Sequence, residues 1–220
     1  MKKHALSPWH SNGFLFAACL LCVGGAIGPV VANNATGQSP ATDARLEMVR
    51  ALQAAHAHPS LGGHARAIDR LIGTWDVAYT DFSTSGRVTH RTGELIFGWV
   101  MDGRVVQDLW IVDPSAADKE REVYTDLFYF DPKSDTWHTA FVDPEHPSVA
   151  RFTGSAADDD RIVLESRDFG ATDTRWSYYN IRADSFVYRA EESADGGKTW
   201  TLQSEYHMKR RRGLAPASHQ

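Results

Sequence analysis

The sequence predicts an all-β protein, an antiparallel up-and-down barrel of about ten strands that follows one or two short helices. Turn-forming residues cut residues 73–210 into about ten short apolar runs. The connections are short and show no helical periodicity, which favours a meander over crossover connections. A meander of this size avoids exposed edges by closing into a barrel, and a two-sheet sandwich is the alternative.

The first 32 residues read as a secretory signal peptide. Lys2 and Lys3 give a basic start, residues 14–31 are mostly apolar, and Ala32 is a small residue at the expected cleavage point. A retained membrane anchor is the alternative, but the glycines near the end of the run weaken it as a spanning helix. We therefore expect a periplasmic or secreted protein without stable membrane insertion after cleavage.

Composition excludes several classes of function. Both cysteines, Cys19 and Cys22, lie in the signal, so the mature chain would have no disulfide, thiolate metal site or cysteine nucleophile. Loss of Lys2 and Lys3 leaves 21 basic residues against 28 acidic ones, a net charge near −7. Nucleic-acid binding is therefore not expected, because it needs a concentrated basic surface.

Residues 33–65 are predicted to be a flexible leader and a helix. The helix runs from about residue 42 to Ala57, before Pro59, and a second short helix covers residues 65–72 up to Gly73. The barrel domain is expected over residues 66–212 and a disordered tail over residues 213–220.

The strands follow from the positions of the turns. Met101-Asp102-Gly103 is a hairpin signal, and Asp-Pro pairs end several other runs. Some runs, such as residues 104–112, are apolar on both faces. The expected strands are residues 74–81, 87–100, 104–112, 121–130, 136–142, 148–154, 161–168, 172–181, 185–192 and 199–210.

The first run opens with Gly73-Thr74-Trp75, which resembles the Gly-x-Trp signature of lipocalins and other calycins. That resemblance implies that Trp75 closes the bottom of the barrel and that Arg210, at the end of the last strand, packs over it as a cation–π contact. The implied role of Gly73, Trp75 and Arg210 is structural.

The wider pattern is similar to a family of bacterial lipocalin-like domains without an assigned activity. It consists of "LIGTW", "GELIFGWVMDGRVV" and "YYNIRADSFVYRAEESADGGKTWTLQSEYHMKR", over about residues 66–211. More distantly, the chain resembles the haem-binding nitrobindins, whose iron ligand is a histidine near the C-terminus. That likeness implies haem as a cofactor held by His207, and without it no cofactor or metal is expected.

Residues 193–200 fit the Asp-box pattern Ser-x-Asp-x-Gly-x-Thr-Trp. Asp195 can accept turn amides and Trp200 can pack against the hairpin, so a structural role is expected. The pattern occurs once, which does not indicate sugar hydrolysis.

Ionisable residues within apolar strands are the best pointers to a site. If they point inward they need partners, and they could orient a ligand's polar head or act as acid and base. If they follow the strand alternation they simply face solvent. These residues are Asp108, Asp126, His138, Arg175 and Arg189.

The leading hypothesis is an exported binding protein for a small apolar or amphipathic ligand. The expected contacts are Trp99, Trp110, Tyr124, His138, Trp176 and Tyr178. One alternative is an isomerase, cyclase or hydrolase that uses Asp108, Asp126 or His138. Haem binding through His207 and a structural envelope protein without a ligand are the others.

Overall fold

The computed structural model describes residues 40–115, 119–144, 148–158, 160–168 and 171–211. The predicted signal peptide, most of the leader and the predicted tail lie outside these ranges. The chain divides into two units, Met1–Met48 and Val49–Gln220. Among the described residues, no helix has both the length and the apolar character needed to cross a membrane.

The predicted fold class is confirmed. Ten antiparallel strands form a closed barrel in which each strand pairs with its neighbours in sequence and β1 pairs with β10, so the sandwich alternative is wrong. Strand β6 runs four residues beyond its expected end. The strands are β1 Gly73–Phe82, β2 Val88–Val100, β3 Val105–Val112, β4 Glu122–Asp131, β5 Thr136–Asp143, β6 Ser148–Asp158, β7 Arg161–Ser166, β8 Asp173–Tyr179, β9 Ser185–Ser193 and β10 Thr201–Arg210.

The helices are shorter than the sequence predicts. Helix α1 spans Pro40–Leu52, a 3-10 helix spans Pro59–His64, and α2 spans Ala65–Asp69. The expected extension of the first helix to Ala57 is wrong, because the chain instead pairs with the β2–β3 hairpin: the Ala54 amide donates to the Trp99 carbonyl (3.0 Å) and the His58 amide to the Gly103 carbonyl (2.8 Å).

One end of the barrel, here called the closed end, is covered by residues 59–72. His64 stacks on Phe130 of β4 at 4.0 Å, while the guanidinium of Arg210 on β10 donates to the carbonyls of Ile72 and Arg70. These contacts reach opposite walls of the barrel. Burial of Ile68 and Leu71, both fully inaccessible, seals the end with apolar surface.

Trp75 lies at the centre of this seal. Its side chain is fully buried, its indole N–H donates to the Leu71 carbonyl at 2.8 Å, and the Cζ atom of Arg210 lies 3.9 Å from its ring centroid. The structure therefore has the cation–π contact that the Gly-x-Trp resemblance implies, and it joins the first strand to the last.

Aromatic rings from opposite walls meet in the middle of the barrel. Trp110 on β3 contacts Tyr188 on β9 (5.2 Å between centroids) and Tyr206 on β10 (5.9 Å), and Tyr178 on β8 lies 6.4 Å from Phe128 on β4. We call Trp110, Tyr188 and Tyr206 the ring layer. This layer lies between the closed end and the far end of the barrel, here called the rim end.

Candidate functional site

A carboxyl pair lies inside the barrel beneath Trp110. Asp108 on β3 and Asp126 on β4 are directly opposite in the ladder and are 0% and 1% exposed. The Asp126 amide donates to Asp108 Oδ1 at 2.7 Å, and the Trp110 indole N–H lies 3.1 Å from Asp108 Oδ2 and 3.3 Å from Asp126 Oδ2. Of the two orientations that the sequence left open for these aspartates, the structure has the inward one, and the solvent-facing alternative is wrong for both.

Burial controls the ionisation of the pair. It raises the pKa of Asp126 to about 7, although hydrogen bonds from Trp110 and Asp108 act in the opposite direction. Burial and then the neighbouring charge of Asp126 raise the pKa of Asp108 well above its usual range. Two carboxyl groups this close share protons rather than ionise together, so the pair holds at least one proton near pH 7.

Two buried polar atoms next to the ring layer lack hydrogen-bond partners within the described part of the chain. They are Asp126 Oδ1 and the hydroxyl of Tyr178, whose side chain is fully buried. Burial, followed by the charges of Asp108 and Asp126, raises the pKa of Tyr178 well above its usual value, so this phenol stays neutral beside the pair. A buried polar atom without a partner costs about 1–3 kcal/mol, which makes both atoms candidates for ligand contact.

The rim end carries a second polar group, formed by inward-facing Asp81, Arg91 and Glu122. Arg91 forms an ion pair with Glu122 and lies 3.8 Å from Asp81. Burial alone would lower the pKa of Arg91, but the hydrogen bond and charge of Glu122 raise it overall. The Tyr124 hydroxyl donates to Glu122 at 3.2 Å and the Tyr206 hydroxyl to Asp81 at 2.8 Å, so these side chains are fixed by the aromatic wall.

The structure brings together four of the six predicted ligand contacts. Trp110, Tyr124, Trp176 and Tyr178 are buried and face the lumen; Trp176, for example, lies 6.0 Å from Tyr188. Trp99 also faces inward, but at the closed end, where its indole donates to Asp69 at 3.0 Å. Along β2 it is two residues from Phe97, which is directly opposite Asp108 in the ladder.

His138 lies on the outer surface and does not belong to the site. The inward residues of β5 are Trp137, Thr139 and Phe141, so strand alternation turns His138 outward, where it stacks on Tyr129 at 5.3 Å. Arg175 and Arg189 also face outward and pair with Glu191 and Glu205. The solvent-facing alternative therefore holds for these three residues, and the prediction that His138 contacts a ligand in the lumen is wrong.

His207 also faces outward. Its side chain is 61% exposed and pairs with Glu205 at 3.0 Å. It therefore cannot ligate a haem inside the lumen, because its strand neighbours Tyr206 and Met208 hold the inward positions. Among the described residues, no three histidine, cysteine or acidic side chains are grouped as metal ligands.

The Asp box forms a rigid hairpin between β9 and β10. Asp195 accepts hydrogen bonds from the amides of Lys198 and Thr199 and from the Thr199 hydroxyl, which together hold the pKa of Asp195 at about 2. The Trp200 indole donates to the Gly197 carbonyl at 3.1 Å and lies under Arg175 on the outer surface. The role of this motif in the described geometry is structural.

Sequence reasoning missed the polar group at the rim end, Asp81, Arg91 and Glu122. It also missed two tyrosines of the site, Tyr188 and Tyr206. Strand pairing was the signal that would have found them, since Tyr188 is directly opposite both Tyr178 and Tyr206 in the ladder. Arg91 is likewise opposite Tyr79. Without the register between strands, each of these residues reads as one polar or aromatic position among many.

Comparison with solved structures bears on the fold alone and does not identify a function or a ligand. Rv2717c from M. tuberculosis aligns with a TM-score of 0.51 and 17% identity, over 71% of this chain and 99% of that one. An S-type phycobiliprotein lyase, CPES, from Guillardia theta aligns with a TM-score of 0.48 and 12% identity, over 67% of this chain and 92% of that one. No protein-family model matches the sequence, and no curated protein does either. The likeness to Rv2717c thus extends to the barrel fold alone.

Proposed function

We propose that this protein binds a small amphipathic ligand in the upper lumen, the part of the interior that extends from the carboxyl pair past the ring layer to the rim end. The observation that carries this proposal is the contrast between the two ends of the interior. At the closed end the side chains around Trp75 are apolar and buried, whereas at the rim end the inward-facing Asp81, Arg91 and Glu122 stay partly exposed, with side-chain accessibilities of 30%, 18% and 20%. Aromatic walls with a few convergent polar groups are typical of small-molecule sites.

Nile red, a neutral dye that fluoresces in apolar surroundings, tests this proposal. We expect saturable binding to the purified protein and a loss of at least about tenfold in affinity in Ala190→Phe. Ala190 is partly buried, lies opposite Trp176 and faces the upper lumen, so a phenyl ring there would fill the site. Ala78→Phe, on the exposed face of β1, is the matched control. No saturable binding, or equal binding by both variants, would contradict the proposal.

Acid–base catalysis is a second candidate, favoured by the pKa of about 7 for Asp126. A carboxyl that titrates near neutral pH can both take and return a proton from a bound molecule. Deuterium incorporation next to the carbonyl of 1-naphthylacetone in D2O would measure this activity. We expect the unaltered protein to incorporate deuterium faster than protein-free D2O does, and we expect Asp126→Asn to abolish this excess. If the variant retains the excess, acid–base catalysis by Asp126 is excluded.

We also propose that the protein is exported and cleaved after Ala32. The basic start and the apolar run of residues 14–31 support this proposal. Expression of the full chain in a Gram-negative host should give a periplasmic protein whose intact mass begins at Asn33. Recovery of the uncleaved chain in the membrane fraction would favour an anchor instead.

A further inference from the structure

The polar groups of the interior differ in what they can still bind. At the rim end, Arg91 is paired with Glu122, so the strongest donor of the upper lumen already has an acidic partner. Deeper in the barrel, Asp126 Oδ1 has no partner within the described residues, although the carboxyl is 1% exposed. The free capacity of the carboxyl pair itself is therefore that of a hydrogen-bond acceptor, whereas at the rim end the buried Nε of Arg91 is a donor without a partner in the described chain.

The surroundings of Asp126 fix the orientation of this acceptor. Its other oxygen, Oδ2, lies 3.3 Å from the Trp110 indole N–H, and its own amide donates to Asp108 Oδ1. Asp108 is held in turn by Trp110 at 3.1 Å. Because these bonds fix both carboxyl groups, Oδ1 is a preorganised acceptor rather than a mobile side chain.

The Tyr178 hydroxyl is a second, independent group without a partner in the described chain. It comes from β8, across the lumen from the carboxyl pair, and is fully buried. A hydroxyl can both donate and accept, so it can complete the coordination of a nitrogen group that donates to Asp126. The rings of Phe128 and Phe97, each 6.4 Å from Tyr178, provide the apolar wall around it.

We propose that the ligand of this barrel carries a nitrogen hydrogen-bond donor, an amine or an N–H heterocycle, that binds Asp126 Oδ1 and the Tyr178 hydroxyl while its apolar body lies against the ring layer. This inference rests on the proposed binding function and names the class of its ligand. A carboxylate is not expected at this position, because beside Asp126 it would meet a like charge or compete for the shared proton.

Three probes with one apolar body separate the inference from the binding function itself. They are 2-(1-naphthyl)ethylamine, 2-(1-naphthyl)ethanol and 1-naphthylacetic acid, each titrated calorimetrically at pH 8. We expect the amine to bind at least about tenfold more tightly than the alcohol, and the acid most weakly, since a hydrogen bond to a charged group is stronger than one between neutral groups. Binding of all three with equal affinity would overturn the inference and leave the binding function intact. Binding by none would overturn both.

Isosteric variants identify the residues involved. Asp126→Asn and Tyr178→Phe should each reduce the amine's affinity about tenfold while they leave the alcohol's affinity within about twofold. Asp102→Asn is the matched control, because Asp102 is an exposed carboxyl on the β2–β3 hairpin. Unchanged amine binding in Asp126→Asn would overturn the inference. If circular dichroism shows that either variant does not fold, the relative affinities of the three probes for the unaltered protein decide whether the inference holds.

Discussion

At the scale of single residues, the carboxyl pair links pH to stability. The pKa of Asp126 rises from 3.8 to about 7 on folding, so the free energy of unfolding is highest where the group is protonated in both states. It falls as pH rises from about 4 through 7, and Asp108, whose pKa burial also raises well above its usual range, adds to the fall. Tyr178 and Tyr188, which face the pair, stay neutral throughout because burial raises the pKa of each.

We therefore expect Asp126→Asn to change the melting temperature little at pH 4 and to raise it at pH 8 by about 3 °C or more. The amide keeps the shape of the carboxyl and removes the cost of ionising it in an apolar interior. Thermal unfolding followed by circular dichroism at both pH values measures the difference, with Asp102→Asn as the exposed control. An equal loss of stability at both pH values would contradict this account of the pair.

The same residues show where sequence reasoning stopped. Period-two alternation correctly placed Asp108 and Leu109, and Asp126 and Leu127, on opposite faces of their strands. It could not say which face lies inside, and in β3 the aspartate is the inward residue while Leu109 is 37% exposed. The hydrophobic preference for burial predicts the reverse, so only strand pairing and barrel closure reveal the pair.

At the scale of elements, the β2–β3 hairpin depends on one close backbone approach. Met101, Asp102 and Gly103 all have positive φ, and a Cβ atom on Gly103 would lie 2.2 Å from the His56 carbonyl oxygen. This contact holds the segment after α1 against the hairpin. The turn itself was predicted from sequence, but the segment that docks on it was predicted to be helical, because local spacing carries no information about the hairpin.

Gly103→Ala should lower the free energy of unfolding by about 1–3 kcal/mol, since it adds both strain and a clash. Gly98→Ala is the matched control in the same hairpin, because a Cβ there meets nothing within 4 Å. We expect the control to stay within about 0.5 kcal/mol of the unaltered protein. Urea denaturation of both variants measures the difference, and equal effects would show that the approach to His56 is unimportant.

At the scale of the whole molecule, Arg210 closes the barrel. Its guanidinium covers Trp75 and donates to the carbonyls of Ala183 (2.6 Å), Ile72 (2.7 Å) and Arg70 (2.8 Å), so it joins the last strand to the segment before the first. Turns and strand alternation, which are local patterns, predicted the ten strands and the closure, and the resemblance of Gly-x-Trp to the calycin signature implied the pairing of Arg210 with Trp75. The sequence could not predict how the lumen is filled, which depends on rings from opposite walls.

Arg210→Lys should lower the free energy of unfolding by about 2 kcal/mol or more, because lysine keeps the charge but loses the planar fork that reaches three carbonyls. Arg211→Lys is the control, since Arg211 pairs with Asp76 and Glu94 on the outer surface, where ion pairs contribute about 0–1 kcal/mol. Urea denaturation compares the two. If both variants lose the same small amount, the closure does not depend on Arg210.

The central claim, that the upper lumen is a ligand site, is tested most directly by the indole N–H signals of ¹⁵N-labelled protein during titration with 2-(1-naphthyl)ethylamine. The indole of Trp110 donates to the carboxyl pair, that of Trp75 to Leu71 in the closed end, and that of Trp200 to Gly197 on the outer surface. The account predicts a saturable shift of the Trp110 signal, with those of Trp75 and Trp200 unchanged. A shift confined to Trp200, or no shift at Trp110 at saturation, would contradict it.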